Sequence, residues 1–163
     1  LFVKTGARLQ PFITGGGQEW GLRAGTENVS GAIGLVTAME ESADLRAQES
    51  KRLLALQARF LEELKDKIPA ARINGSLKHR LPNNIHLTLS GIDNETVIMQ
   101  LDEAGIMAAV GSACSASSDE PSHVLSAIGL SDEDARSSLR FTMGRATTED
   151  DVRTTVTTLA SLL

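Results

Sequence analysis

The sequence predicts a two-layer α/β sandwich of the α+β kind, with a small mixed or largely antiparallel sheet covered by helices on one face. Three observations predict it. Apolar residues recur at spacings of three and four over a long stretch in the first half: Val29, Ile33, Val36 and Met39, then Leu53, Leu56, Phe60 and Leu64. Short segments further on alternate apolar with polar residues, Ile85-His86-Leu87-Thr88-Leu89 and Leu139-Arg140-Phe141-Thr142-Met143. Helical patterns with their own start and stop signals lie between and after these segments.

The elements follow in order. The chain opens Leu1-Phe2-Val3-Lys4, which reads as a strand entered partway, so the sequence is expected to be a piece of something longer. The first 25 residues hold six glycines, at 6, 15, 16, 17, 21 and 25, a density that marks a loop. Helical periodicity runs from about 27 to 67, long for one globular helix, and a kink or break is expected near Ser42 to Asp44. Pro69 closes the stretch. Arg72-Ile73-Asn74 is a short candidate strand. Asp93-Asn94 suits a helix cap and Gly105 a helix end. Ile106 to Val110 reads as a buried strand, and Gly111 to Ser118 as a loop of small residues. Pro121 suits a first helical turn with Gly129 as its stop, Ser131 to Asp134 resembles a capping box, and Thr147 to Asp150 caps a last helix with the stripe Val152, Val156, Leu159 and Leu163.

Composition excludes several functions. Of 163 residues, 41% are hydrophobic, enough to bury a core and so to rule out disorder as the default. No apolar run approaches the ~20 residues of a membrane span. A net charge of -5 argues against nucleic acid or an anionic membrane surface as the main partner. The lone Cys114 allows no intrachain disulfide, and His79 and His86 show no metal-ligand spacing, so no metal site is expected.

Three features could carry chemistry. Cys114 sits in Gly111-Ser112-Ala113-Cys114-Ser115-Ala116-Ser117-Ser118. A buried structural thiol is the commonest fate of a free cysteine, but small residues and serines around it suit an accessible nucleophile. His123 is the nearest histidine in sequence, and a cysteine–histidine enzyme would need it, or His86, within reach. Arg23 and Thr26 stand at the end of Gly15-Gly16-Gly17-Gln18-Glu19-Trp20-Gly21-Leu22-Arg23-Ala24-Gly25-Thr26, just before a helix, where a phosphate could bind; a plain helix cap with a surface arginine is the simpler account. Arg140 lies on the polar side of an alternating strand, either as part of a solvated sheet face or as a fork for a carboxylate. The charged side chains of the long helix, Glu49 and Arg52 among them, read as a solvated face.

Four segments together resemble the NifS/IscS-type cysteine desulfurases: the glycine-rich run 15–28, Leu81-Pro82-Asn83-Asn84-Ile85, Gly111-Ser112-Ala113-Cys114-Ser115, and Ser137-Ser138-Leu139-Arg140-Phe141-Thr142-Met143-Gly144-Arg145. They come in the family's order and cover almost the whole chain. The resemblance implies a fold-type I pyridoxal-phosphate enzyme, of which this chain is the C-terminal portion. Residues 1–26 would be the end of the large domain with the glycine-rich segment, 27–68 the linking helix region, and 69–163 the small domain. It implies a cytoplasmic homodimer that takes sulfur from L-cysteine, leaves L-alanine, and passes a persulfide to a sulfur acceptor or an iron–sulfur scaffold protein. Cys114 would be the nucleophile toward the substrate sulfur, Arg140 would bind the substrate carboxylate, and Thr26 would bond the cofactor phosphate. Arg23 would order the glycine-rich segment.

The family's Schiff-base lysine, its pyridine-facing aspartate and its ring-stacking histidine lie upstream of these residues. Lys4, Lys51, Lys65, Lys67 and Lys78 lack the flanking motif. The chain alone is therefore expected to lack pyridoxal phosphate and desulfurase activity, and to cover the bared apolar face of its long helix by dimerisation or other association. A stand-alone module that docks sulfur acceptors or carries persulfide on Cys114 is the alternative.

Overall fold

The computed structural model describes residues 3–111 and 122–163. The chain divides into two compact units, Leu1–Leu45 and Arg46–Leu163. In the first, a single 3-10 turn, Glu19–Gly21, interrupts an otherwise irregular glycine-rich segment. Val3 and Lys4 are not in a strand, against the expectation from the opening residues; the other two residues of that expected strand lie outside the described residues. Helix α1, Val29–Lys67, begins at Asn28, whose Oδ1 accepts from the Gly31 N–H at 2.9 Å.

α1 runs 39 residues without the break expected near Ser42–Asp44. No glycine or proline occurs between Leu35 and Lys67, and Ser, Ala and Asp at 42–44 each cost at most about 0.7 kcal/mol in a helix. Ion pairs along its second half, Arg59 to Glu63 and Lys67 to Glu63, at 2.6 and 2.8 Å, add support one turn apart.

The second unit holds β1 (Arg72–Ile73), β2 (Asn84–Thr88), α2 (Asn94–Glu103), α3 (His123–Ala127), α4 (Asp132–Arg136), β3 (Ser138–Thr142) and α5 (Glu149–Ser161). The three strands pair antiparallel in the order β1-β2-β3. The segment expected as a strand at Ile106–Val110 makes only a bridge, Ala109 to Arg140. Ile106 and Ala108 still pack partly into the core, while Met107 is exposed.

Alternation along the strands splits the sheet into two faces. Ile85, Leu87, Leu139 and Phe141 form the apolar face and pack with Leu56, Phe60 and Leu64 of α1, Val97 and Leu101 of α2, and Val152, Val156 and Leu159 of α5. This is the second layer the sequence predicts. The caps match as well: Asp93 starts α2, Ser131 accepts from the Asp134 N–H to start α4, and Thr148 with Asp151 forms the capping box of α5. Ser131 makes only half of the box expected there, because Asp134 turns its carboxylate to Arg72 instead.

The other face of the sheet carries Asn84, His86, Thr88, Ser138, Arg140 and Thr142. Its Thr88 end is sealed by a polar network: Asn74 donates to Thr88 Oγ1 at 2.8 Å, Thr88 and Ser138 share a 2.8 Å bond, and Ser138 donates to the Asp134 carbonyl at 2.7 Å. Its other end stays open and floors a cleft.

Candidate functional site

That cleft, about 530 Å3, is lined from the sheet by His86, Arg140 and Thr142, and from the loop between β1 and β2 by Asn74, Arg80 and Asn83. Gly111 and Ser122 line it too. Cys114, the candidate nucleophile, lies outside the described residues, but the residues on either side of its segment, Gly111 and Ser122, both stand on the cleft wall. The two are close. A Cβ placed on Gly111 would come to 3.0 Å from the Ser122 Cβ, and its backbone φ is +48°, so a side chain there would be strained.

Arg140 is fixed by its backbone. Its N–H donates to the Ala109 carbonyl at 2.7 Å and its carbonyl accepts from the Ala109 N–H at 3.0 Å, on one side of β3, while β2 pairs on the other with His86 opposite Arg140. Pairing on both sides holds the side chain on the cleft face. Its guanidinium has no hydrogen bond or ion pair among the described residues. No aspartate or glutamate is among the described residues that line the cleft. A cationic cleft without its own counter-charge suits an anion, and a guanidinium suits a carboxylate bidentately.

Helix α1 supports the cleft loop from behind. The buried Gln57 donates to the carbonyls of Pro82 and Asn84 at 3.2 and 3.0 Å. Arg52, expected on a solvated face, does more than pair with Glu49: it donates to the carbonyls of Gly144 and Thr147 at 2.8 and 2.7 Å, and so pins the turn that follows β3. The contact with Arg52 holds the Glu49 carboxyl below its ordinary range.

Sequence reading missed Arg80, and weighed His86 only as a partner for Cys114 or a metal ligand. Burial, with the Arg80 and Arg140 charges beside it, pushes the His86 imidazole down to about 4, so it is neutral at ordinary pH. The period-two pattern did put His86 on the same face as Arg140, but nothing in the sequence marked the register that sets them opposite one another.

In the first unit Thr26 is exposed, two residues before the Asn28 cap, and its hydroxyl makes no hydrogen bond among the described residues. Arg23 is exposed as well. Among the described residues no cluster of His, Cys, Asp or Glu could hold a metal ion. The cleft does not fit pyridoxal phosphate through a Schiff base, since none of the five lysines lines it. No described helix is long and apolar enough to cross a membrane.

Residues 6–154 match the family model for class-V aminotransferases. The chain belongs to the class-V aminotransferase family. Within it, cysteine desulfurase IscS of Clostridium botulinum is 42% identical over 154 residues, covering 93% of this chain and 39% of that protein. Cysteine desulfurase IscS 1 of Archaeoglobus fulgidus is 45% identical over 152 residues, covering 93% and 40%. A solved NifS-like protein superposes with a TM-score of 0.81 at 27% identity, over 99% of this chain and 40% of that one. A second, from Rickettsia africae, gives 0.80 at 28%, over 96% and 40%. The expected fold class thus agrees with that of the solved NifS-like structures. The chain spans about two fifths of the length of the curated relatives it matches.

Proposed function

We propose that this class-V aminotransferase chain is part of a cysteine desulfurase and supplies its sulfur-accepting thiol and its substrate-carboxylate site. Arg140 binds the carboxylate of L-cysteine. The Cys114 thiolate takes the substrate sulfur as a persulfide, the carbon skeleton leaves as L-alanine, and the persulfide sulfur goes to an acceptor such as an iron–sulfur scaffold protein. In the longer enzyme, a cytoplasmic homodimer, pyridoxal phosphate would supply an electron sink, and Thr26 would be the residue of this chain that bonds its phosphate. The lysine that holds the cofactor comes from outside these 163 residues, so the chain alone is inactive.

The observation that supports this reading is the pairing of an uncompensated Arg140 guanidinium with the two flanks of the Cys114 segment, Gly111 and Ser122, on one cleft. The names of the 42–45% identical relatives support it independently. The test is alanine and sulfide release from L-cysteine by the longer enzyme, with a thiol reductant present. Cys114→Ser is expected to abolish persulfide formation. Arg140→Gln is expected to lower kcat/KM by about ten- to a hundredfold, the worth of a charge-assisted carboxylate contact. Full turnover by either variant overturns the assigned roles. Sulfide release by the isolated 163-residue chain overturns its predicted inactivity.

A further inference from the structure

The Arg140 cleft holds two more donors that no described residue accepts from. Arg80 Nη1 and His86 Nε2 are both buried and have no hydrogen-bond partner among the described residues. A buried donor without an acceptor costs about 1–3 kcal/mol, so two in one cleft call for a ligand.

Each is held in place by its remaining nitrogens. Arg80 Nε donates to the Ser76 carbonyl at 3.2 Å and Nη2 to the Asn74 carbonyl, which leaves Nη1 over. The Asn74 Nδ2 amine stands 2.9 Å from His86 Nδ1. An amide nitrogen can only donate, so Nδ1 accepts and the imidazole proton sits on Nε2. Asn74 is itself locked by Thr88. Arg80 and His86 are thus preorganised as donors, with Arg140 opposite His86 in register and no carboxylate among the described lining residues.

We propose that Arg80 and His86 bind the substrate carboxylate beside Arg140, so that the cleft holds an amino-acid carboxylate on three donors. A carboxylate offers about four lone-pair sites, enough for a bidentate guanidinium and two further N–H groups. This deepens the carboxylate reading of Arg140 and rests on it. A neutral His86 serves here because an imidazolium beside the Arg80 and Arg140 charges would be repelled, whereas a neutral N–H donor is tolerated.

The test uses the uniformly 15N-labelled 163-residue chain, titrated at pH 7.5 with L-alanine and, separately, with L-alanine methyl ester, which lacks the free carboxylate. We expect the His86 ring to show the Nε2-protonated tautomer and its Nε2 signal to shift saturably with L-alanine but not with the ester. Followed at the Thr142 amide, affinity should fall about tenfold or more in Arg80→Gln and about two- to tenfold in His86→Leu. His86→Gln, which keeps a donor, should recover part of the loss. Arg80→Lys, which keeps the charge without the fork, should still bind L-alanine in preference to the ester, a check that the fold survives.

The Nδ1-protonated tautomer, or equal response to acid and ester, overturns the proposal. If Arg140→Gln abolishes binding while the Arg80 and His86 variants bind as wild type, the proposal fails and the carboxylate role of Arg140 stands. If Arg140→Gln binds as wild type and the other two do not, Arg80 and His86 are anion-binding residues and the role of Arg140 fails. No saturable shift in the wild-type chain also overturns the proposal, and the role of Arg140 is then decided by the turnover assay of the longer enzyme.

Discussion

Leu56, Phe60 and Leu64 in the second half of α1 are 2–4% exposed, whereas Val29, Ile33, Val36 and Met39 in its first half, also three or four residues apart, are 53–63% exposed. One helix carries the same apolar period twice with opposite outcomes. The second stripe meets the apolar face of a sheet and two further helices. The first meets nothing comparable among the described residues of its own unit. A repeat of three and four therefore identifies which side of a helix is apolar, and leaves open what covers it.

The largest expected effect breaks that comparison most directly. Phe60 is 2% exposed and its ring packs on Phe141 with centroids 5.3 Å apart, tilted 47°. Phe60→Ala is expected to destabilise the chain by about 3–5 kcal/mol in urea unfolding, through lost burial and the cavity left behind. A cost below about 1 kcal/mol would mean that the core is not built on the second stripe.

Gln57 shows that this half of the helix supports the cleft with polar groups as well. Gln57→Ala strips the donor from the carbonyls of Pro82 and Asn84 and should cost about 1–3 kcal/mol, measured in the same unfolding assay. Gln57→Glu should be at least as costly, because a carboxylate cannot donate to either carbonyl.

How far this was legible in the sequence differs from residue to residue. Leu139, Phe141 and Ile85 announced themselves by alternation, and Asp93, Ser131 and Gly129 by their place at helix ends. Ile106–Val110 did not become a strand, because only Ala109 reaches Arg140 with both of its backbone bonds. Thr88 sits on the polar side of β2 yet is fully buried, since Asn74 and Ser138 close over it. That closure joins residues up to 64 apart and has no local signature. The same holds for His86: its neighbours Arg80 and Arg140 are set by a loop clamp and a strand register, and neither leaves a motif.

The His86 environment predicts a pH dependence. The unfolded chain titrates this histidine near its ordinary value of about 6.5, and the folded chain at about 4. Between those values the unfolded state binds the proton and the folded state does not. Stability is therefore unaffected by His86 above about pH 6.5, falls as pH is lowered toward 4, and levels off below. The full shift would be worth roughly 3 kcal/mol, and partial exposure reduces this to about 1–2 kcal/mol. Glu49, Glu63, Asp93 and Asp151 also titrate low in the folded chain. The readout is therefore the difference between wild type and His86→Gln over pH 7 to 4, which should grow in favour of the variant as pH falls. A flat difference would mean that His86 is neither buried nor influenced by the Arg80 and Arg140 charges.

The smallest expected effect sharpens the comparison from its other end. Ile33 is 63% exposed, so Ile33→Ala removes little buried area, and alanine is the better helix former. Unfolding at low micromolar concentration should change by no more than about 0.5 kcal/mol in either direction. Concentration then separates two accounts of the exposed stripe. If association covers it, wild-type stability rises with protein concentration while the Ile33→Ala chain rises less, because binding to the folded state adds stability by mass action. Sedimentation should show the matching loss of mass in the variant. If stability is independent of concentration in both, the stripe is solvated in this chain.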